Sequence, residues 1–424
     1  MHTMRRSLTP VASLLFGVAI LLTGQGLQGT LLPVRANIEA FSTLAIGLMG
    51  GAYFLGFTLG CLRGVRLVQR LGHVRVFAAM AALASATPLL HGLFVDAWTW
   101  WVLRLLSGFC FAVLYVVIES WLNEQSTNET RGTVFSAYVI ISMTVIAVGQ
   151  QMLLLYDPRD MALFAMASVL VSLAALPVVM STSRTPQHAD AVRLDLRRLA
   201  AISKTGMVAC LASGLANGSF WALAPVFSAG IADSTALAAG FMSGAVVGGA
   251  VGQWPLGYWS DRVDRRIIIA FVAILAAGVG AVLWLMYDSL SPTAAVLLSG
   301  LWGALAFPMY AIAVAHANDF ARQGEYVMVS GGLLLMYGLG AIIGPFLAAA
   351  AMTWFGNASL YGFAMVVHVV VFFYVLLRLR RRASAPMEEH VPFSEALTAV
   401  QTASQIVGEE QDAATTAEEN RLGN

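Results

Sequence analysis

The hydrophobic positions of this chain fall into long unbroken runs instead of strict alternation or one-sided stripes. Apolar stretches of about twenty residues recur near 10–33, 43–62, 76–95, 98–122, 132–155, 160–181, 206–228, 235–258, 267–287, 293–316, 327–353 and 358–378, separated by short polar or arginine-bearing turns. At ~1.5 Å per residue such a run crosses the ~30 Å hydrocarbon layer of a bilayer, and a helix satisfies its backbone there without help from neighbours. The pattern therefore predicts an all-α membrane protein with 12 transmembrane helices. The first run continues to Val34 without a small-residue cleavage pattern, so it reads as a spanning helix and not as a removable signal.

Composition sharpens this picture. Of 424 residues, 58% are hydrophobic and only 11% charged, which leaves no room for a large aqueous domain. The net charge of +1 singles out no partner beyond the lipid bilayer, and nothing points to nucleic acid. Cys61, Cys110 and Cys210 each lie within a predicted helix, without paired spacing or nearby histidines; they read as packing residues, and no metal or cofactor is implied. His316 and His368 lack metal-ligand company and read as structural. Orientation follows from the arginines. With both termini in the cytoplasm, twenty Lys or Arg residues lie on cytoplasmic segments and only Arg35 and Arg159 on the other side.

The longest polar stretch between runs, Ser181 to Thr205, divides the chain into two groups of six helices. Sliding the chain against itself by 192 residues aligns Gln25 with Asn217, Gly26 with Gly218, Pro33 with Pro225, Ser42-Thr43 with Ser234-Thr235, Gly60 with Gly252, Arg70 with Arg262, and Leu106-Ser107-Gly108 with Leu298-Ser299-Gly300. One register held over more than a hundred residues marks an internal repeat. Six spans per repeat make the two bundles parallel, with a pseudo-symmetry axis along the membrane normal and a binding site expected between them near the midplane. The expected domains are an N-terminal bundle over 1–180, a cytoplasmic linker over 181–205, a C-terminal bundle over 206–382 and a disordered tail over 383–424, which carries eight acidic residues.

The loop after the eighth run reads Gly257-Tyr258-Trp259-Ser260-Asp261-Arg262-Val263-Asp264-Arg265-Arg266. It resembles the signature loop of the major facilitator superfamily, with Asp264 in place of its second glycine. The first-half counterpart is degraded, with Val65 and Gln69 replacing the glycine and aspartate while Arg70 and Gly72 remain. Arg104 through Gly108, Tyr115 through Ser120, Arg131-Gly132, Tyr138 and Gly252 through Pro255 are similar to the YcaD-like branch of bacterial facilitators. The resemblance covers residues 10 to about 380. It implies a transporter of the bacterial inner membrane, with helices 1, 4, 7 and 10 around a central cavity. It also implies that Glu119, Arg70, Asp261, Arg262, Arg265 and Arg266 form a gating charge relay. Asp261 is then expected against the positive end of a helix in the opposite half, near Gly132, with Arg265 and Arg266 holding the turn through acids such as Asp319.

Arg104 is the strongest functional candidate, because an arginine near the middle of a span costs roughly 3 kcal/mol to insert and needs a cavity, partner or substrate. With Gly108, Phe111, Tyr115 and Glu119 it follows helical steps of four and three, on one stripe of the fourth helix. Glu119 is fifteen residues away, roughly 22 Å along a helix, so the two cannot pair with each other. Glu119 has two readings: it neutralises Arg70 or Arg75, or it carries a coupling proton. Gln25 and Gln28 on helix 1, Asn217 and Trp221 on helix 7 and Tyr310 on helix 10 complete the expected substrate-binding set. Gly338, Gly340, Gly344 and Pro345 resemble an antiporter motif but stand on helix 11, not helix 5, which argues against a drug antiporter. No phosphate-cradling loop supports an ATP-driven pump, and no clustered histidines, paired carboxylates or nucleophile with a base point to an enzyme. The reading is a secondary active transporter that moves a small organic solute across the bacterial inner membrane by alternating access, coupled to an ion, the proton; a non-transporting sensor or scaffold retaining the fold is its competitor.

Overall fold

Serine and aspartate residues placed just before the apolar runs start several of the helices. Ser42 Oγ accepts from Ala45 N at 3.2 Å and its counterpart Ser234 from Leu237 N at 3.4 Å; Asp96 accepts from Thr99 N at 2.9 Å. Each satisfies one amide that the first turn leaves without a partner. The computed structural model describes residues 11–127, 130–179, 195–322, 325–381 and Phe393. Among them, 12 helices are long and apolar enough to cross a membrane. We number them α1 (Ala12–Ile38), α2 (Thr43–Leu71), α3 (His73–Leu93), α4 (Ala97–Glu124), α5 (Arg131–Gln151), α6 (Met161–Leu173, continued by Ala175–Val179), α7 (Lys204–Ile231), α8 (Thr235–Ser260), α9 (Arg265–Leu285), α10 (Pro292–Asn318), α11 (Tyr326–Phe355) and α12 (Ser359–Arg381).

The helices pair in the same way in both halves. In the first, α2 packs on α4, α1 on α5 and α3 on α6; in the second, α8 packs on α10, α7 on α11 and α9 on α12. Small residues allow these crossings, since lipid supplies no hydrophobic drive and backbones must approach closely. A Cβ built on Gly56 would lie 1.9 Å from the Leu105 carbonyl oxygen, and one on Gly248, 192 residues later, 1.9 Å from that of Gly300. Gly26 meets the backbone of Ile146, and Gly218 meets that of Ala341. The internal repeat therefore appears as equivalent helix crossings.

The ends of α2, α8 and α12 and the turns that follow them are rich in arginine (Arg66, Arg70, Arg262, Arg265, Arg378 and Arg380 among them), and we call that side the arginine-rich face. Near the opposite face the two halves touch. Gly47 lies against Pro345 and Ala349, Gly50 against Ala222, and Gly51 against Ile342. Gln151 Nε2 donates to Ser243 Oγ at 2.6 Å across the same divide. Toward the arginine-rich face a cavity separates the halves.

The structure adds detail at one domain boundary. Part of the expected linker is a short helix, Leu196–Ile202, capped by Asp195 and packed against α7 and α11. It is tied down further by the Arg198–Glu325 ion pair at 2.9 Å. The remainder of the linker and the expected disordered tail lie outside the described residues, apart from Phe393, which is buried.

Candidate functional site: the central cavity

Between the halves lies a cavity of about 400 Å³, lined by α1, α2, α4, α5, α7 and α11. Its α4 wall is the stripe Arg104, Phe111, Tyr115 and Glu119. Gly108 of that stripe instead faces α2, where its missing side chain admits the Tyr53 carbonyl. This close crossing seats Tyr53 beside Arg104, with the guanidinium carbon 4.2 Å from the ring centroid. Arg104 is only 9% exposed, and its guanidinium donates no hydrogen bond to any described residue; its Nε is wholly buried without a partner.

The groups that would ordinarily satisfy Arg104 are engaged elsewhere. Gln25 Nε2 donates to Tyr53 Oη at 2.9 Å, while Tyr115 Oη donates to Gln25 Oε1 at 2.7 Å. Gln28 Nε2 points to Thr87 Oγ1 at 3.4 Å. A chain of neutral hydrogen bonds thus links α1, α2 and α4, leaving the cation facing the cavity against an aromatic face. Cation–π contact offsets part of the cost of burying charge, and leaves the in-plane N–H donors available for a planar acceptor such as a carboxylate.

Glu119 stands at the other end of the stripe and is 6% exposed. Tyr138 of α5 hydrogen-bonds to its carboxylate, and Tyr115 and Cys61 lie close enough to feel its charge. Arg70 and Arg75 are exposed and form no ion pair among the described residues, so the structure does not join them to Glu119. Glu119 lines the cavity, whereas both arginines are exposed near the ends of α2 and α3.

Several other expected positions move. Trp221 lines the cavity and stacks on Phe307, with centroids 5.7 Å apart. Asn217 does not reach it; buried beneath Tyr337, it hydrogen-bonds to that phenol. Tyr310 packs on the same ring, with centroids 4.9 Å apart, and α10 contributes nothing to the wall. In their place α11 supplies Leu334, Leu335, Tyr337 and Gly338, and α2 supplies Tyr53, Phe54, Phe57 and Cys61. The i, i+4, i+8 stripe of Tyr53, Phe57 and Cys61 was visible in the sequence, but apolar spacing alone does not separate a cavity wall from a packed one. Of the lone histidines, His368 donates from Nδ1 to the Ala364 carbonyl at 2.7 Å, and His316 packs on Phe320.

A profile of the Major Facilitator Superfamily matches residues 14–317 and again 206–408, the second match starting 192 residues after the first. The chain belongs to this superfamily. Its similarity to the superfamily's bacterial transporters runs nearly end to end. It is 28% identical to an MFS-type transporter of Yersinia pestis (strain Pestoides F) over 392 residues, 91% of this chain and 98% of that one. It is 28% identical to the MFS-type transporter YcaD of Escherichia fergusonii over 385 residues, 89% of this chain and 98% of the relative. Among solved structures, the nucleoside transporter NupG superposes with a TM-score of 0.74 at 13% identity, covering 88% of this chain and all of NupG. A bacterial homologue of the human lysosomal transporter Spinster, inward-facing and unoccupied, gives 0.65 at 12% identity, covering 93% of this chain and 98% of the homologue. At these identities the structures share the superfamily's fold.

The superfamily's signature loop is well held here. Arg265 is fully buried; its Nε donates to Asp319 Oδ2 at 2.8 Å, and its Nη2 lies 3.1 Å from Asp261 Oδ1. Arg266 pairs with Asp264 at 2.6 Å, and Asp264 also caps α9 by accepting from Arg266 N at 3.0 Å. Asp264 has φ −52°, so the turn does not need the glycine that the motif usually places there. Arg262 lies over the Tyr258 ring, 3.4 Å from its centroid, on its own helix end. Asp261 Oδ1 accepts from Phe393 N at 3.0 Å and lies 3.1 Å from Arg265 Nη2, whereas a Cβ on Gly132 would meet nothing within 4 Å; among the described residues no hydrogen bond or ion pair joins Asp261 to α5.

Proposed function

We propose that this chain is a secondary transporter that carries a small organic solute with an anionic or strongly accepting group by alternating access. The observation that carries the reading is Arg104: a buried guanidinium lining the cavity between the halves, with no hydrogen bond to any described residue and its Nε buried without a partner. Its cost in the membrane is offset when a substrate carboxylate or comparable acceptor enters. The aromatic rings of Tyr53, Phe54, Phe57 and Trp221 suit an apolar or aromatic body on that substrate, and 400 Å³ suits a molecule of metabolite size.

The excess of arginines on one face supports a bacterial inner-membrane orientation with both termini cytoplasmic, so that the cavity faces the cytoplasm in this state. Glu119, in the same cavity and bonded to Tyr138, is the group we assign to a coupling proton. A carboxylate in a low-dielectric site changes protonation as its surroundings wet and dry, which is what coupling to alternating access needs.

The test is flux into proteoliposomes across a panel of aromatic and aliphatic carboxylates, with matched neutral amides, for the natural protein and Arg104→Ala. Saturable carboxylate flux that disappears in Arg104→Ala is the expected result. Flux of the amides at equal rate, or carboxylate flux that survives the substitution, overturns the assignment of Arg104 to substrate.

A further inference from the structure

Phe393 lies far beyond the last spanning helix in sequence, yet it is only 7% exposed. Its ring lies on Gly257, where a Cβ would fall 2.3 Å from Phe393 Cδ1 and 2.6 Å from Cε1, so the absent side chain makes the seat. Gly257 and Asp261 are one helical turn apart and share a face of α8. The ring and the amide of one residue therefore meet both: the ring covers Gly257 while Phe393 N donates to Asp261 Oδ1 at 3.0 Å. That oxygen also receives Arg265 Nη2, and Arg265 is anchored to Asp319. The seat is thus rigid, and is built from the acidic and glycine positions of the gating loop itself.

We propose that Gly257 and Asp261 form a docking site for the chain's own C-terminal segment, and that Phe393 seated there holds the arginine-rich face open. The oxygen that closure would present to the N-terminal end of α5 already accepts two donors in this structure. An α5 terminus and a docked Phe393 would compete for one carboxylate, and the ring on Gly257 adds bulk beside it on the same face of α8. Docking therefore stabilises one access state alone, which is the condition for shifting a population. The gating half of the proposal rests on alternating access; the docking half does not.

Two measurements separate them. A fluorescent peptide of residues 388–398 should bind protein ended after Arg382, at least tenfold more tightly than the same peptide with Phe393→Ala, and binding should fall when the truncated protein carries Gly257→Leu. No binding, or equal binding by both peptides, overturns the docking site. Cys61 lines the cavity and is 6% exposed, while Cys110 and Cys210 are wholly buried, so slow maleimide labelling of Cys61 at elevated pH from the arginine-rich side reports cavity access. Truncation after Arg382 should slow labelling of Cys61 about tenfold, and added peptide should restore it. Phe393→Ala in the full chain should match the truncation, which guards against misfolding of the shortened protein. An unchanged labelling rate in both overturns the gating role, and does so without bearing on solute flux.

Discussion

Replacing Arg104 by methionine should stabilise the empty protein and abolish its response to ligand. Inserting an arginine near a span centre costs about 3 kcal/mol. The contact with Tyr53, 4.2 Å from the ring centroid, returns about 1–2 kcal/mol of that. Because the guanidinium makes no hydrogen bond to the described residues, no further protein contact is lost. Methionine fills a similar volume with a flexible apolar chain. The net gain is then about 1–2 kcal/mol, and at ~2–4 °C per kcal/mol for a body the size of one six-helix half, Tm rises by about 2–8 °C. Thermal unfolding followed by tryptophan fluorescence, in one detergent and at one scan rate, measures this difference even where unfolding is irreversible. The same scans with a transported carboxylate should show a rise in Tm for the natural protein and none for the variant. A fall of several degrees in the empty variant would refute the reasoning, because it would make the guanidinium a support of the fold.

The glycine crossings, the signature loop and the coupling group each yield a further expectation. Gly56→Ala and Gly248→Ala each force a methyl group to within 1.9 Å of a carbonyl oxygen, so both should lower Tm, by about 1–3 kcal/mol or more in stability; a neutral result in either would show a looser crossing. Burial works to raise the Asp264 pKa, but its bonds to Arg266 outweigh this and leave it below the ordinary carboxylate value. A depressed pKa contributes stability that is complete above the unfolded value, near pH 4, and lost as pH falls through the folded one. Asp264→Asn should therefore lower Tm at neutral pH and flatten its decline on the acid side, and an unaltered acid-side slope would count against the pair. Glu119→Gln should remove the pH dependence of carboxylate flux, and flux that keeps its natural pH profile would take the proton role away from Glu119.

The apolar runs, their lengths and the arginine bias are local properties, and they determined the number of spans and the class of the protein before any contact was known. The 192-residue repeat was equally legible, because Ser42 and Ser234, Gly26 and Gly218, and Gly60 and Gly252 do their work in cis or at a single crossing. Arg104 stood out for a similar reason: a charge within an apolar run needs no partner to be conspicuous. Which helices wall the cavity was not legible. That depends on how the halves lean, and leaning them together at the opposite face brings α2 and α11 to the cavity in place of α10, so Tyr53 and Tyr337 face positions expected of Tyr310 and Asn217. Nor could spacing show that Gln25 is held by two tyrosines and unavailable to Arg104, or that Asp261 accepts from Phe393. Each polar group has several partners within reach of its sequence position, and only the packing of helices distant in the chain selects one.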